Sequence, residues 1–110
     1  MVAFNSIEEL SQRIAGEFHP ERIILFGSYA RGTASGDSDV DLLVIMDHDR
    51  ESVDKEVEIR LRTRPPFPVD ILVRSPKVLK KRLKMGDSFL RHILDEGLVL
   101  YEADHAGVGR

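Results

Sequence analysis

Cysteine is absent from the 110-residue chain. That excludes disulfide staples, thiolate zinc sites and cysteine nucleophiles, and it agrees with a reducing compartment. Long apolar runs are missing too: none approaches membrane-spanning length, and residues 1–5 do not pair a charged stretch with an apolar one in the manner of a secretory leader. Nor is there a large excess of either charge. Lys and Arg total 16 against 19 Asp and Glu, leaving a formal net charge of −3. Such a chain has no global drive towards nucleic acid or an anionic membrane, so any basic surface must be local. These absences lead us to expect a cytoplasmic protein with no membrane association and no direct nucleic-acid binding. With 42% hydrophobic and 32% charged residues, the composition suits one globular domain with a modest core. Residues 1–102 are expected to form it, with 103–110 as a flexible tail.

Residues 27–45 hold the densest concentration of residues with special physical roles. An apolar run, Ile23-Ile24-Leu25-Phe26, meets a Gly27-Ser28 step, and an acidic turn then feeds a second apolar run. Elements on either side can be assigned from periodicity. Ile7, Leu10, Ile14 and Phe18 recur at helical spacing behind a capping-box pattern, Ser6 to Glu9, and His19-Pro20 ends that helix. Residues 22–26 are a buried strand, and 28–32 can form a short helix. Residues 33–38 are a turn by composition, and 40–46 are a central strand, apolar on both faces beyond Asp41. Asp47 or Asp49 can cap a helix carrying Val53, Val57 and Leu61, which Pro65, Pro66 and Pro68 stop before a strand at 69–74. Ser75-Pro76 opens a helix with Val78, Leu79 and Leu83 on its apolar side. Gly86 separates it from a helix at 87–96 with Phe89, Leu90, Ile93 and Leu94 inward. Gly97 is a candidate C-terminal cap before a last short strand at 98–101. The order α-β-α-β-α-β-α-α-β predicts an α/β layer architecture on a small sheet. The first two strands can pair in either direction, whereas the helical crossover between the second and third suits a parallel pair.

Asp39 and Asp41 stand two residues apart and so project from one face of a strand. Asp70 lies one residue into its own strand, and a parallel pairing places it beside them. Three carboxylates sharing one patch repel each other until divalent cations bind, and two Mg²⁺ ions there would clamp an in-line phosphoryl displacement. Gly27 allows close backbone approach to an anion, and Ser28 adds a hydroxyl donor. Arg31 is equally suited to neutralising phosphate or to pairing with the nearby acids. Taken singly, a Gly-Ser step is a turn, Asp37-Ser38-Asp39 is an acidic turn bonding its own backbone, and Asp70 is a strand-end charge. Their combination, each opening or closing a strand, points to a nucleotide and metal site. Asp37 also stands two from Asp39, but Asp41 sits inside the apolar run, where an unpaired carboxylate is costly; Asp39/Asp41 is therefore the metal pair and Asp37 a turn residue. His19, His48, His92 and His105 lack ligand spacing. Tyr29 either packs or touches the nucleotide, and Tyr101 packs at a strand end.

Gly27-Ser28, ten residues, then Asp39-Val40-Asp41 resembles the signature of the polymerase-β-like nucleotidyltransferase superfamily, and the small size resembles its minimal (MNT, MntA-like) branch. The resemblance runs from about Arg22 to Arg74, with Asp70 in Val-Asp-Ile-Leu-Val matching the third carboxylate. It implies a nucleotidyltransferase (polymerase-β-like) fold, a small mixed sheet with helices packed on it. It further implies Mg²⁺-dependent transfer of a nucleoside monophosphate from an NTP, with ATP as substrate and pyrophosphate leaving. By the same likeness Asp39, Asp41 and Asp70 are catalytic and bind metal, Asp70 favours deprotonation of the acceptor hydroxyl, and Gly27 and Ser28 hold the triphosphate. About 36 residues follow the third strand, too few for a separate acceptor domain. MNT-like proteins resemble the antitoxin half of toxin–antitoxin modules with an all-helical HEPN-domain partner, which implies AMP transfer to a partner tyrosine. Three alternatives stay open: transfer to a small molecule such as an aminoglycoside, with a homodimer completing the pocket; an antitoxin acting by binding alone; and, for the basic stretch Lys77, Lys80, Lys81, Arg82, Lys84 and Arg91, either a solvated helix face or a rim for triphosphate, RNA or an acidic partner.

Overall fold

A computed structural model describes residues 1–48 and 51–104. The capping role proposed for Asp49, and His105 with the rest of the expected tail to 110, lie outside the described residues. The elements follow the expected order: α1 (Phe4–Phe18), β1 (Arg22–Phe26), α2 (Ser28–Arg31), β2 (Val40–Ile45), α3 (Ser52–Thr63), β3 (Val69–Arg74), α4 (Pro76–Lys84), α5 (Ser88–Glu96) and β4 (Leu98–Glu102). The sheet has the order β3-β2-β1-β4. β1 runs antiparallel to both β2 and β4, and β2 and β3 are parallel, as the helical crossover requires. β2 is central, which is why Val40, Leu42, Leu43, Val44 and Ile45 are all fully buried. No helix among the described residues is long and apolar enough to cross a membrane.

Alternation along the strands divides the core into two layers. Val40, Leu42, Val44, Val69, Ile71 and Val73 face one side with Ile7, Leu10 and Ile14 of α1 and Ile59 of α3. Ile24, Leu43 and Ile45 face the other side with Leu79 of α4 and Leu90 and Ile93 of α5. Because the side-chain period is two, Asp39 and Asp41 fall in line with Leu43, on the α4/α5 side of the sheet.

Several local expectations are corrected. Ser6 does not cap α1: the helix starts at Phe4 with Ala3 at the cap, and the Ser6 N–H already donates to Ala3 O at 3.0 Å. The amides a Ser6 cap would serve lie within the helical ladder. His19 does leave the right-handed helical region before Pro20, but into the left-handed one (φ 51°, ψ 53°). Gly97 follows α5 with an extended backbone rather than a left-handed cap. Its lack of a side chain serves packing, since a Cβ there would lie 2.5 Å from both Ile24 Cγ2 and Ile93 O. Val78 and Phe89 are exposed rather than inward.

The largest difference concerns α3. Val53, Val57 and Leu61 were expected to face the core, yet they are 61%, 50% and 69% exposed. The helix instead buries Ile59 and Thr63. A polar anchor sets this rotation: Glu56 Oε2 accepts the Val73 N–H at 2.8 Å and lies 3.6 Å from Arg74 Nη1. Glu56, Ile59 and Thr63 occupy one helical face, and that face is held on the outer edge of β3. At the other end of β3's helical neighbour, Arg62 lies over the Phe18 ring at 4.8 Å and reaches Glu17 at 3.2 Å, which ties α3 to α1. By contrast, the α4 cap follows the sequence, with Ser75 accepting from the Val78 N–H at 3.1 Å, whereas Asp87, expected inside the next helix, caps α5 by accepting from the Leu90 N–H at 3.0 Å.

Candidate active site

The parallel register of β2 and β3 sets Asp41 directly beside Asp70. The antiparallel register of β1 and β2 sets Phe26 opposite Asp41, so the turn that follows Phe26 lies over that carboxylate. Gly27 makes the turn at φ 77°, ψ −154°, a conformation effectively restricted to glycine. A Cβ at Gly27 would overlap Asp41 Oδ2. Glycine is therefore needed twice here, for its backbone and for the space the carboxylate fills. α2 begins at Ser28, and the Ala30 and Arg31 N–H groups close back on Gly27 O at 3.1 Å each. The Ser28 and Tyr29 amides precede these first helical bonds, where helix-terminal N–H groups favour an anion.

Asp41 is partly exposed and Asp39 and Asp70 are exposed. Partial burial, then the negative charges of Asp70 and Asp39, push the Asp41 carboxyl above its ordinary range, while Arg31 acts in the opposite direction. A side-chain hydrogen bond with Asp70 adds to the upward shift. Among the described residues, no three Asp, Glu or His side chains stand close enough together to hold one metal ion. Asp41 and Asp70 are register neighbours on β2 and β3, and the charges of both Asp70 and Asp39 bear on Asp41. The donor set nonetheless suits a hard divalent cation such as Mg²⁺, which takes carboxylate oxygens and would relieve the repulsion that raises Asp41.

The remaining sequence candidates divide. Arg31 is exposed and close enough to Asp41 to affect its charge. Asp37 lies in the turn before β2; that turn is closed by the Ser35 N–H donating to Ser38 Oγ at 2.9 Å and the Ser38 N–H donating to Ser35 O at 3.1 Å. The Tyr29 hydroxyl accepts the Val2 N–H at 3.0 Å, and the ring packs on the core, as does Tyr101. Tyr29 thus belongs to the fold. The basic residues Lys77, Lys80, Lys81 and Lys84 lie on the exposed side of α4, and Arg82 pairs with Asp87 at 3.1 Å.

Two hollows meet at Asp41. A cavity of about 250 Å³ is lined by Gly27, Ala30, Arg31 and Asp41 together with His92 and Glu96 of α5. A larger groove of about 630 Å³ is lined by Asp41, Asp70, Ile71 and Leu72 on the strands and by Val53, Glu56, Val57 and Arg60 on α3. Phe26 and Phe89 line both, with ring centroids 5.9 Å apart and planes at 86°. This aromatic pair stands between the two hollows. Sequence periodicity missed Phe89, Val53 and Val57 as site residues because each occupies an apolar helical position and is read as core. The sequence carried a signal only in retrospect: an aromatic beside Leu90 widens the apolar stripe of α5 beyond what one sheet face can cover.

Fold and site together define a nucleotide-handling enzyme with a carboxylate pair at the strand ends. A family model described as "Nucleotidyltransferase domain" matches residues 6–100. Over 81 residues the chain is 37% identical to the Methanocaldococcus jannaschii protein named "Putative protein adenylyltransferase MJ0604", covering 74% of this chain and 78% of that one. Among solved structures it is similar to a toxin–antitoxin with AMP-PNP, with a TM-score of 0.59 at 21% identity over 90% of this chain and 76% of that one. It is also similar to a mutant of the toxin–antitoxin MntA-HpeT, with a TM-score of 0.58 at 19% identity over 96% of this chain and 77% of that one. The chain belongs to the nucleotidyltransferase domain family, and it is a nucleotidyltransferase.

Proposed function

We propose that this nucleotidyltransferase moves AMP from ATP to a hydroxyl of a partner protein, a tyrosine in the leading case, and serves as the antitoxin of a HEPN/MNT toxin–antitoxin module. The observation that carries the reading is the Asp41–Asp70 pair, in register on β2 and β3 beneath Gly27. The name of the adenylyltransferase relative supports AMP as the group transferred, and the nucleotide analogue and toxin complexes among the structural neighbours support the donor and the partner.

In this reading the hydroxyl oxygen attacks the α-phosphorus of ATP, the α–β phosphoanhydride bond breaks, and pyrophosphate departs with the electron pair. Asp70, exposed and set beside Asp41 on the neighbouring strand, takes the hydroxyl proton. Ser28, the amides at the start of α2 and Arg31 bind the triphosphate. Asp39, Asp41 and Asp70 would hold Mg²⁺, two ions in the full reading, which would supply neutralisation of charge on the transferring phosphoryl group.

The test uses ATP carrying label at either the α or the γ phosphate, with Mg²⁺ and a co-expressed HEPN-domain partner. Label retained on the partner from the α position alone is expected. Label from the γ position instead would make the enzyme a kinase and overturn the reading. Labelling of an aminoglycoside but not of the protein would favour the small-molecule alternative.

A further inference from the structure

α3 presents an aliphatic face that the described residues leave exposed. Val53, Val57 and Leu61 follow each other at intervals of four residues, so they form a stripe roughly 12 Å long on one side of the helix. Nothing about helix propensity requires them there; buried Ile59 and the Glu56 bond to the Val73 N–H hold α3 in the rotation that leaves them outside. One end of the stripe, Val53 and Val57, forms a wall of the groove that holds Asp41 and Asp70. The stripe is thus continuous with the groove beside the carboxylate pair.

We propose that the α3 stripe and this groove form one docking surface for the protein that carries the acceptor hydroxyl, with an apolar face of that protein seated on Val53, Val57 and Leu61 while its hydroxyl-bearing side chain enters the groove beside Asp70. This rests on the reading of a protein acceptor given above. Three features select that occupant. Among the described residues, several charges beside the stripe are paired within the chain, and those that are not, Asp54 and Arg60, are of opposite sign: Lys55 and Glu58 lie 2.9 Å apart, Arg62 reaches both Glu17 and Glu58, and Glu56 is anchored to β3. Such a rim matches an apolar protein face better than a polycationic small molecule or a nucleic acid. Next, three side chains fall well short of the roughly 800 Å² per partner of a stable interface, so a second copy packing α3 on α3 is under-provided. A partner that also fills the groove gains the missing area. Finally, the groove's volume of about 630 Å³ exceeds what one phenol ring needs, leaving room for flanking residues.

The test compares the unsubstituted chain with L61D, a position outside the groove lining and exposed enough to accept charge without unfolding, and with L61M, which keeps the surface apolar. Three quantities are read: the KM for AMP transfer to the helical partner protein, the rate of transfer to N-acetyl-tyrosinamide, and the rise in melting temperature with ATP and Mg²⁺. L61D is expected to raise the partner KM by about fivefold or more, in line with loss of an interface anchor. Its transfer to N-acetyl-tyrosinamide and its ATP-dependent stabilisation stay unchanged, and L61M behaves like the unsubstituted chain. If L61D modifies the partner with an unaltered KM, the docking surface is wrong while the reading of the reaction stands. If L61D dissociates a homodimer with no effect on partner modification, the face belongs to a second copy and the proposal is overturned. If the unsubstituted chain labels neither acceptor, the protein-acceptor reading fails and this inference falls with it.

Discussion

On one flank of Asp41 the chain closes tightly, with Gly27 pressed against the carboxyl and α2 starting immediately beyond it. On the other flank it opens into a groove between β3 and α3 whose outer wall mixes exposed Val53 and Val57 with Glu56 and Arg60. The closed flank is made of residues adjacent in sequence and strands in register, so little about it can move. The open flank is set by how a helix is rotated, and its aliphatic side chains face solvent. A donor that is the same in every turnover suits the first kind of construction, and an acceptor that must be selected suits the second.

That contrast can be broken most sharply at the carboxylates. Asp39→Ala with Asp41→Ala is expected to lower α-label transfer by about a thousandfold or more, since metal-assisted charge stabilisation is worth several kcal/mol. Circular dichroism should show the fold retained; an active double variant would move the chemistry elsewhere. Next in size is the rotation of α3. Ile59 is fully buried, and Ile59→Ala should cost about 3 kcal/mol in urea denaturation. Val57→Ala should change stability by no more than about 0.5 kcal/mol, as for an exposed site. The reverse ranking would mean that α3 buries its other face. Gly27→Ala tests the closed flank: the disfavoured backbone alone should cost about 2 kcal/mol, and displacement of Asp41 should depress activity further.

The smallest expected effect concerns pH. The folded state raises the Asp41 pKa above 3.8, so the charged form is the disfavoured one in the folded chain. Its contribution to stability is full below the unfolded value of 3.8 and is lost as pH rises through the raised folded value. In EDTA, Asp41→Asn should therefore melt higher than the unsubstituted chain at neutral pH, with the difference fading in acid. Adding Mg²⁺ should stabilise the unsubstituted chain and not the variant. A melting difference that grows as pH falls would contradict the repulsion assigned to Asp70 and Asp39.

The same division governs what could be inferred before any coordinates. Gly27, Asp39, Asp41 and Asp70 were legible because each owes its place to a strand boundary, and strand boundaries are local signals of apolar runs and turn residues. The parallel pairing of β2 and β3 followed from the length of their connection, and it alone aligned Asp41 with Asp70. The face of α3 was not legible. Val53, Val57 and Leu61 carry the stronger apolar periodicity, and what overrides it is tertiary: Ile59 seated in the core, Arg62 tied to Glu17 and the Phe18 ring, and Glu56 bonded to an edge-strand amide seventeen residues away. Phe89 was misplaced for a related reason: apolar spacing identifies a helix face but does not say where the sheet beneath it ends. The start of α1 slipped because a capping-box pattern also occurs one turn inside a helix, where its hydroxyl has no free amide to serve.

The most direct measurement of the central claim is the intact mass of the helical partner after incubation with ATP and Mg²⁺. Transfer of AMP through the Asp41–Asp70 pair predicts a mass gain of one or more adenylyl groups on the partner, pyrophosphate released in equal amount, and neither with Asp41→Asn. A partner that is fully neutralised while its mass stays unchanged would contradict it.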